Sequence, residues 1–126
     1  IAALCLFCLT LFWFFPTQTP DFGLDWTLYP ELATIKGIDA AGNACPSLHV
    51  ASAVFSALWL DRLMTVISVP TQLRLFNLVY CVAIGWSTMA SRQHVALDVL
   101  AGAIVGIAFA LVSLRATRSD KRHLSI

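Results

Sequence analysis

Two histidines and one aspartate carry the chemistry this chain has to offer. His94 and Asp98 are four residues apart in Ser91-Arg92-Gln93-His94-Val95-Ala96-Leu97-Asp98, a spacing that stacks both side chains on one face of a helix. A carboxylate on one ring nitrogen fixes the tautomer and leaves the other nitrogen free to act as nucleophile or base. His49, in Pro46-Ser47-Leu48-His49, is a second and separately placed imidazole, suited to protonate a leaving oxygen. Pro46 belongs at a helix start, and Ser47 is a good cap for it. Both histidines therefore stand where an apolar helix begins, and free N–H groups with partial positive charge favour a bound phosphate there. The chemistry so specified is attack on phosphorus: His94 as nucleophile, Asp98 as its orienting partner, His49 as general acid.

The elements that must position these groups are greasy. Of 126 residues, 59% are hydrophobic and 12% charged, and the mean hydropathy is +0.80. Soluble domains carry roughly 25% charged residues, so the composition points to a polytopic membrane protein. No nucleic-acid partner is expected. The chain starts at Ile1 inside an apolar run and reads as a piece of a longer protein, with no cleavable leader before Leu4. Cys5 and Cys8 form a CxxC inside an apolar segment, where small helix-packing residues are the simpler use. Cys45 and Cys81 stand alone, so the four thiols suggest neither a disulfide framework nor a metal site.

Apolar runs divide the chain into four helices. The first is Ile1–Phe15, with Trp13, Phe14 and Phe15 as an aromatic belt and Pro16 as its stop. Fifteen residues span about 22 Å, less than the ~30 Å hydrocarbon core. A polar segment from Thr17 to Pro46 follows, rich in Pro and Gly, with a short interfacial helix expected over Glu31–Ile38. The second helix is expected over Leu48–Leu63, a loop over Met64–Gln72, and the third helix over Leu73–Ala90 with Asn77 in its interior. The fourth runs from His94 to Leu114. Gly102 and Gly106 in it are spaced for close helix contact. Arg115–Ile126 is a basic, frayed tail on the cytoplasmic side. Trp26, Trp59 and Trp86 are expected to anchor the interface. The fold class is thus all-α, a membrane helix bundle with four transmembrane helices, forming one domain over residues 1–126.

The charges give the orientation. Four crossings put the second loop on the same side as the tail. Together with the helix ends beside them, these hold Arg62, Arg74, Arg115, Arg118, Lys121 and Arg122, six of the eight basic residues. Only Lys36 and Arg92 lie on the other side. The positive-inside rule then puts His49 and His94 together on the extracytoplasmic face.

Gly42-Asn43 followed by Pro46-Ser47-Leu48-His49-Val50 resembles the second motif of the type 2 phosphatidic acid phosphatase superfamily. Leu48 between Ser and His is a feature of its inositol phosphorylceramide synthase-like branch. Gln93-His94-x-x-x-Asp98-Val99-Leu100-Ala101-Gly102 is similar to the third motif. The resemblance covers about residues 12 to 112. It implies the last four helices of a six-helix bundle, and a phosphohistidine mechanism without metal or cofactor. A lipid phosphate in the bilayer is the implied partner; nothing indicates an oligomeric state. Ser47, Arg92, Ser87 and Asn43 are the candidate substrate-binding residues, although Ser47 is equally a helix cap and Asn43 equally a turn residue.

Three cations of the superfamily pattern are missing from their usual places. Aligning the first motif, Lys-x6-Arg-Pro, on Pro20 puts Thr19 at the Arg and Phe12 at the Lys, and the Ser-Arg before the third motif corresponds to Ser87-Thr88. Arg92, two residues before His94, is the local substitute, unless it only snorkels to headgroups. A phosphomonoester carries close to two negative charges near neutral pH and a diester one. Fewer cations therefore favour headgroup transfer from a diester. The alternatives are a phosphomonoesterase acting on phosphatidic acid or polyprenyl pyrophosphate, and a membrane scaffold that keeps the motifs without activity. Bis-histidine haem ligation would leave Asp98 and Pro46-Ser47 unexplained.

Overall fold

A computed structural model describes residues 1–17, 28, 30, 31, 44–90 and 94–123, with side chains as far as 117. Four helices are described: α1 (Ala2–Phe14), α2 (Leu48–Val66), α3 (Thr71–Ala90) and α4 (Ala96–His123). Apart from Glu31, the expected helix over Glu31–Ile38 lies outside the described residues, as does most of the Thr17–Pro46 segment.

Local chemistry explains where these helices start and stop. Ser47 caps α2, its Oγ accepting the Val50 N–H at 3.4 Å. Asp61 and Arg62 do not end α2, which runs on to Val66. Its stop is a turn in which Ser68 takes a left-handed φ of 58°. The Ser68 N–H reaches the Thr65 carbonyl and the Val69 N–H the Met64 carbonyl, the hydrogen-bond pair of a Schellman motif. Pro70 then precedes α3, its carbonyl accepting from Leu73 and Arg74. That fixes the start at Thr71, two residues before the expected Leu73.

The largest correction concerns α4. It begins at Ala96, so His94 stands outside the helix rather than in its first turn. The Asp98 carboxylate reaches back to the Val95 N–H at 3.1 Å, the acidic half of a capping box, and makes Val95 the cap. At the other end α4 continues to His123 where a frayed tail was expected.

α2 is the central element and packs against the other three helices. Leu4, Cys8 and Phe12 of α1 meet Ala51 and Phe55 of α2 and Ala110 of α4 in one buried cluster. Cys5 packs on that cluster, as helix-packing cysteines should. Trp59, expected at the interface, packs on it too and is partly buried. The α2–α4 seam is very close: a Cβ on Gly102 would lie 2.5 Å from the Ser47 carbonyl oxygen, and one on Gly106 2.5 Å from that of Ala51. Only glycine allows this approach, which is the close contact that the GxxxG spacing suggested.

Among the described residues, two helices rather than four are long and apolar enough to cross a membrane, Thr71–Ala90 and Ala96–Thr117. Ala2–Phe14 is too short, and α2 carries His49, Asp61 and Arg62. Only 11% and 22% of the two candidate windows is buried inside the molecule, whereas the core helix of a soluble domain is mostly buried. Leu75, Phe76, Val79, Val82 and Trp86 of α3 all point outward.

Candidate active site

The site forms where the starts of α2 and α4 meet. The Ser47 N–H donates to the backbone carbonyl of Asp98 at 3.1 Å, which ties the cap of one helix to the first turn of the other. Ser47 is fully buried at this junction. The seam at Gly102 holds the same two chain segments together one turn further along α4.

His94 and Asp98 are each 5% exposed. Nδ1 of His94 is 3.8 Å from Oδ2 of Asp98, too long for a hydrogen bond, and the two become an ion pair only when the ring is protonated. The same Oδ2 holds the Val95 N–H, so the carboxylate that lies beside the imidazole also starts the helix. The backbone of His94 is anchored as well: its N–H donates to the Thr88 carbonyl at 3.2 Å. Thr88 is buried near the end of α3, with its hydroxyl on the Gly85 carbonyl at 2.9 Å.

His49 stands on the first turn of α2, exposed, with its ring centroid 6.1 Å from that of His94 and the planes inclined at 58°. The pair thus has one buried imidazole backed by a carboxylate and one accessible imidazole facing it.

Of the residues singled out from sequence, His49, His94, Asp98 and Ser47 come together. Ser87 sits on the exposed side of α3, while the adjacent Thr88 turns inward to the site. Asn43 and Arg92 lie outside the described residues. Two neighbours were underrated. Thr88 occupies the family's arginine position, which was its signal. Cys45 was set aside as solitary, but it immediately precedes Pro46, and the Asp98 charge acts on its thiol. Burial and then the Asp98 charge push the Cys45 thiol above its usual range.

An all-helical chain with a carboxylate-backed imidazole facing a second imidazole, at two converging helix starts, is equipped for nucleophilic and acid–base chemistry on an anion. A family model of the PAP2 superfamily matches residues 2–122, and the chain belongs to that superfamily. Its members are phosphatases, which makes this chain, at that coarse level, a phosphoric-ester hydrolase or phosphotransferase. No curated protein and no solved structure matches the chain.

Proposed function

We propose that this protein is a membrane-embedded lipid phosphatase or phosphotransferase working through a phosphohistidine. The observation that carries the proposal is the facing pair His94 and His49, with Asp98 behind His94. Nε2 of His94 attacks phosphorus in line, and the bond from phosphorus to the departing oxygen breaks. His49, protonated at the start, gives its proton to that oxygen. His49 then takes a proton from water or an acceptor hydroxyl, whose oxygen attacks the phosphohistidine and frees His94. Ser47, at the cap of α2, and the N–H groups of that turn would hold the non-bridging oxygens. Arg92 is the nearest cation in sequence, and Ser87 and Asn43 complete the proposed substrate contacts.

The finer assignment rests on sequence. Leu48 in Pro46–His49 favours the inositol phosphorylceramide synthase-like branch, and the charge tally favours an extracytoplasmic site with α1 and α2 completing a four-crossing bundle. Thr19, Phe12 and Thr88 at three cation positions favour a diester donor. One purified sample should be assayed on phosphatidic acid and on a phosphodiester lipid. Faster turnover of the diester supports headgroup transfer, and clear preference for phosphatidic acid replaces it with monoester hydrolysis. Labelled phosphate retained on wild-type protein but not on His94→Ala supports the covalent step; loss-free turnover by His94→Ala overturns the whole assignment.

A further inference from the structure

The segment that leads into α2 is bonded on both sides. Thr17, three residues past the end of α1, grips it from one side. The Cys45 N–H donates to the Thr17 hydroxyl oxygen at 2.7 Å, and that hydroxyl donates in turn to the Cys45 carbonyl at 3.4 Å. The Ala44 N–H donates to the Thr17 carbonyl at 3.2 Å. From the other side, the Ser47 N–H donates to the Asp98 carbonyl at 3.1 Å. Between the two grips stands Pro46, whose ring fixes its own φ and which has no N–H to bond elsewhere. Every N–H of residues 44–47 is therefore taken, two by Thr17 and one by Asp98. Ala44, Pro46 and Ser47 are buried along this strap.

The geometry points to Thr17 as a positioning residue for the reaction. Its hydroxyl holds the backbone of residue 45 so that Ser47 and the first turn of α2 keep their place beside Asp98 and His94. The inference rests on the reading of that turn as the phosphate cradle and of His94 as the nucleophile. Ser47 is both the last residue of the strap and the cap of α2, its Oγ on the Val50 N–H at 3.4 Å, with His49 between them in sequence. A shift of the strap therefore moves the cap oxygen, the N–H groups of the turn and His49 together. Groups aimed at a reacting phosphate lose their effect when displaced, because the benefit lies in their being in place beforehand. The hydroxyl does what no apolar side chain of the same shape can. With valine at position 17 the part-buried Cys45 N–H loses its acceptor, and the strap must move to find another. The bond from Ala44 to the Thr17 carbonyl survives that change, so the strap is loosened rather than released.

The test uses the complete protein in lipid nanodiscs, with phosphatidic acid and a phosphodiester lipid as substrates. Inhibition by orthovanadate is measured beside turnover, because its five-coordinate adduct on a nucleophile resembles the transition state of in-line attack. Thr17→Val keeps the shape and removes the hydroxyl. It should lower kcat roughly tenfold with KM unchanged, short of the ~10²-fold that a displacement of about 1 Å can cost. Vanadate inhibition should weaken by the same factor, since both quantities read the geometry of the transition state. Thr17→Ser keeps the hydroxyl and should recover most of both. Unchanged kcat or unchanged inhibition in Thr17→Val overturns the role, and so does a Thr17→Ser as slow as Thr17→Val. A clip of purely structural value would lower the unfolding temperature and leave both readouts of the folded protein at wild type. Where Thr17→Val does not fold, Thr17→Ala supplies the same readouts; failure of both to fold makes the hydroxyl structural and overturns the positioning role. His94→Ala keeps the two ideas apart. Full turnover in that variant defeats the site itself, whereas a dead His94→Ala beside an unaffected Thr17→Val defeats only the positioning role. Arg74→Ala, which loses a bond to Asp61 at the far end of α2, serves as the control with wild-type kcat.

Discussion

The two ends of α2 carry polar groups of similar number and opposite purpose. At the far end Arg74 grips Asp61 with two bonds, Nε to Oδ1 at 2.8 Å and Nη2 to Oδ2 at 3.2 Å. Asn77 adds a bond to the Ala57 carbonyl at 2.9 Å. All four residues belong to the α2–α3 hairpin, the charges are half exposed, and each meets its complement nearby in sequence. At the near end Ser47, Thr88, His94 and Asp98 are buried. They come from α2, α3 and the start of α4, and no basic side chain from the described residues answers the carboxylate. A half-exposed pair closing a hairpin does little beyond holding it. A buried carboxylate kept against an imidazole costs desolvation, and proteins retain such arrangements mainly where chemistry needs them. On the proposed mechanism one helix serves as clasp and as catalytic platform, and its two halves should respond to mutation in different currencies: stability at one end, turnover at the other.

The sharpest way to break that contrast is at His94. His94→Ala should lower turnover on the order of 10⁴-fold or more while leaving the unfolding transition in detergent close to wild type. Phosphate release and thermal unfolding measured on the same preparation decide it; a variant that unfolds early but turns over normally would make the near end a second clasp. His49→Ala should cost about 10²- to 10⁴-fold, the usual contribution of a general acid. A lipid analogue with a leaving group that needs no proton should recover much of that loss, and failure to recover would remove His49 from the acid role.

Gly102 sharpens the comparison differently, because it couples the two currencies. Its Cβ position is 2.5 Å from the Ser47 carbonyl oxygen, a backbone atom that cannot swing aside. Gly102→Leu should destabilise the protein by about 1–3 kcal/mol and also depress turnover, since Ser47 and Asp98 are displaced together. Urea unfolding alongside kcat provides the check. Loss of stability with full activity would show that the seam is only structural.

Much of this site was legible because its residues sit at helix starts, where caps and prolines leave a strong local signature. Pro46 and Ser47 marked the start of α2, and the His94–Asp98 spacing marked a paired imidazole and carboxylate. The spacing was right for a reason other than the one given. The two side chains do not stack along a helix; the Asp98 carboxylate reaches backward to cap the Val95 N–H, which brings it to 3.8 Å from the ring of a histidine that lies before the first turn. Periodicity cannot distinguish those cases, since both bring residues i and i+4 together. Cys45 was hidden for a different reason: the carboxylate whose charge helps to push its thiol up, Asp98, is 53 residues away in sequence. The count of four spans is met by two of the described helices, because α1 is short and α2 carries charge, so both are recognisable as helices without reaching the length and hydropathy of α3 and α4.

The smallest of the expected effects lies at the clasp end, and it should be a gain. Ser68 closes α2 in a left-handed conformation, φ 58°, and it is exposed. An L-residue in that region places its Cβ against the following carbonyl, a cost of roughly 1 kcal/mol that glycine escapes. Both Schellman bonds, from Ser68 and Val69 to the last turn, are made by backbone and survive the change. Ser68→Gly should therefore raise stability by about 0.5–1 kcal/mol, the greater chain freedom of glycine when unfolded taking back part of the benefit. Turnover should not move, because the substitution lies a full helix length from His49. Denaturant unfolding and kcat on the same sample test both halves. A stabilised protein with altered kcat would mean that the two ends of α2 communicate, and that the division between clasp and platform is false.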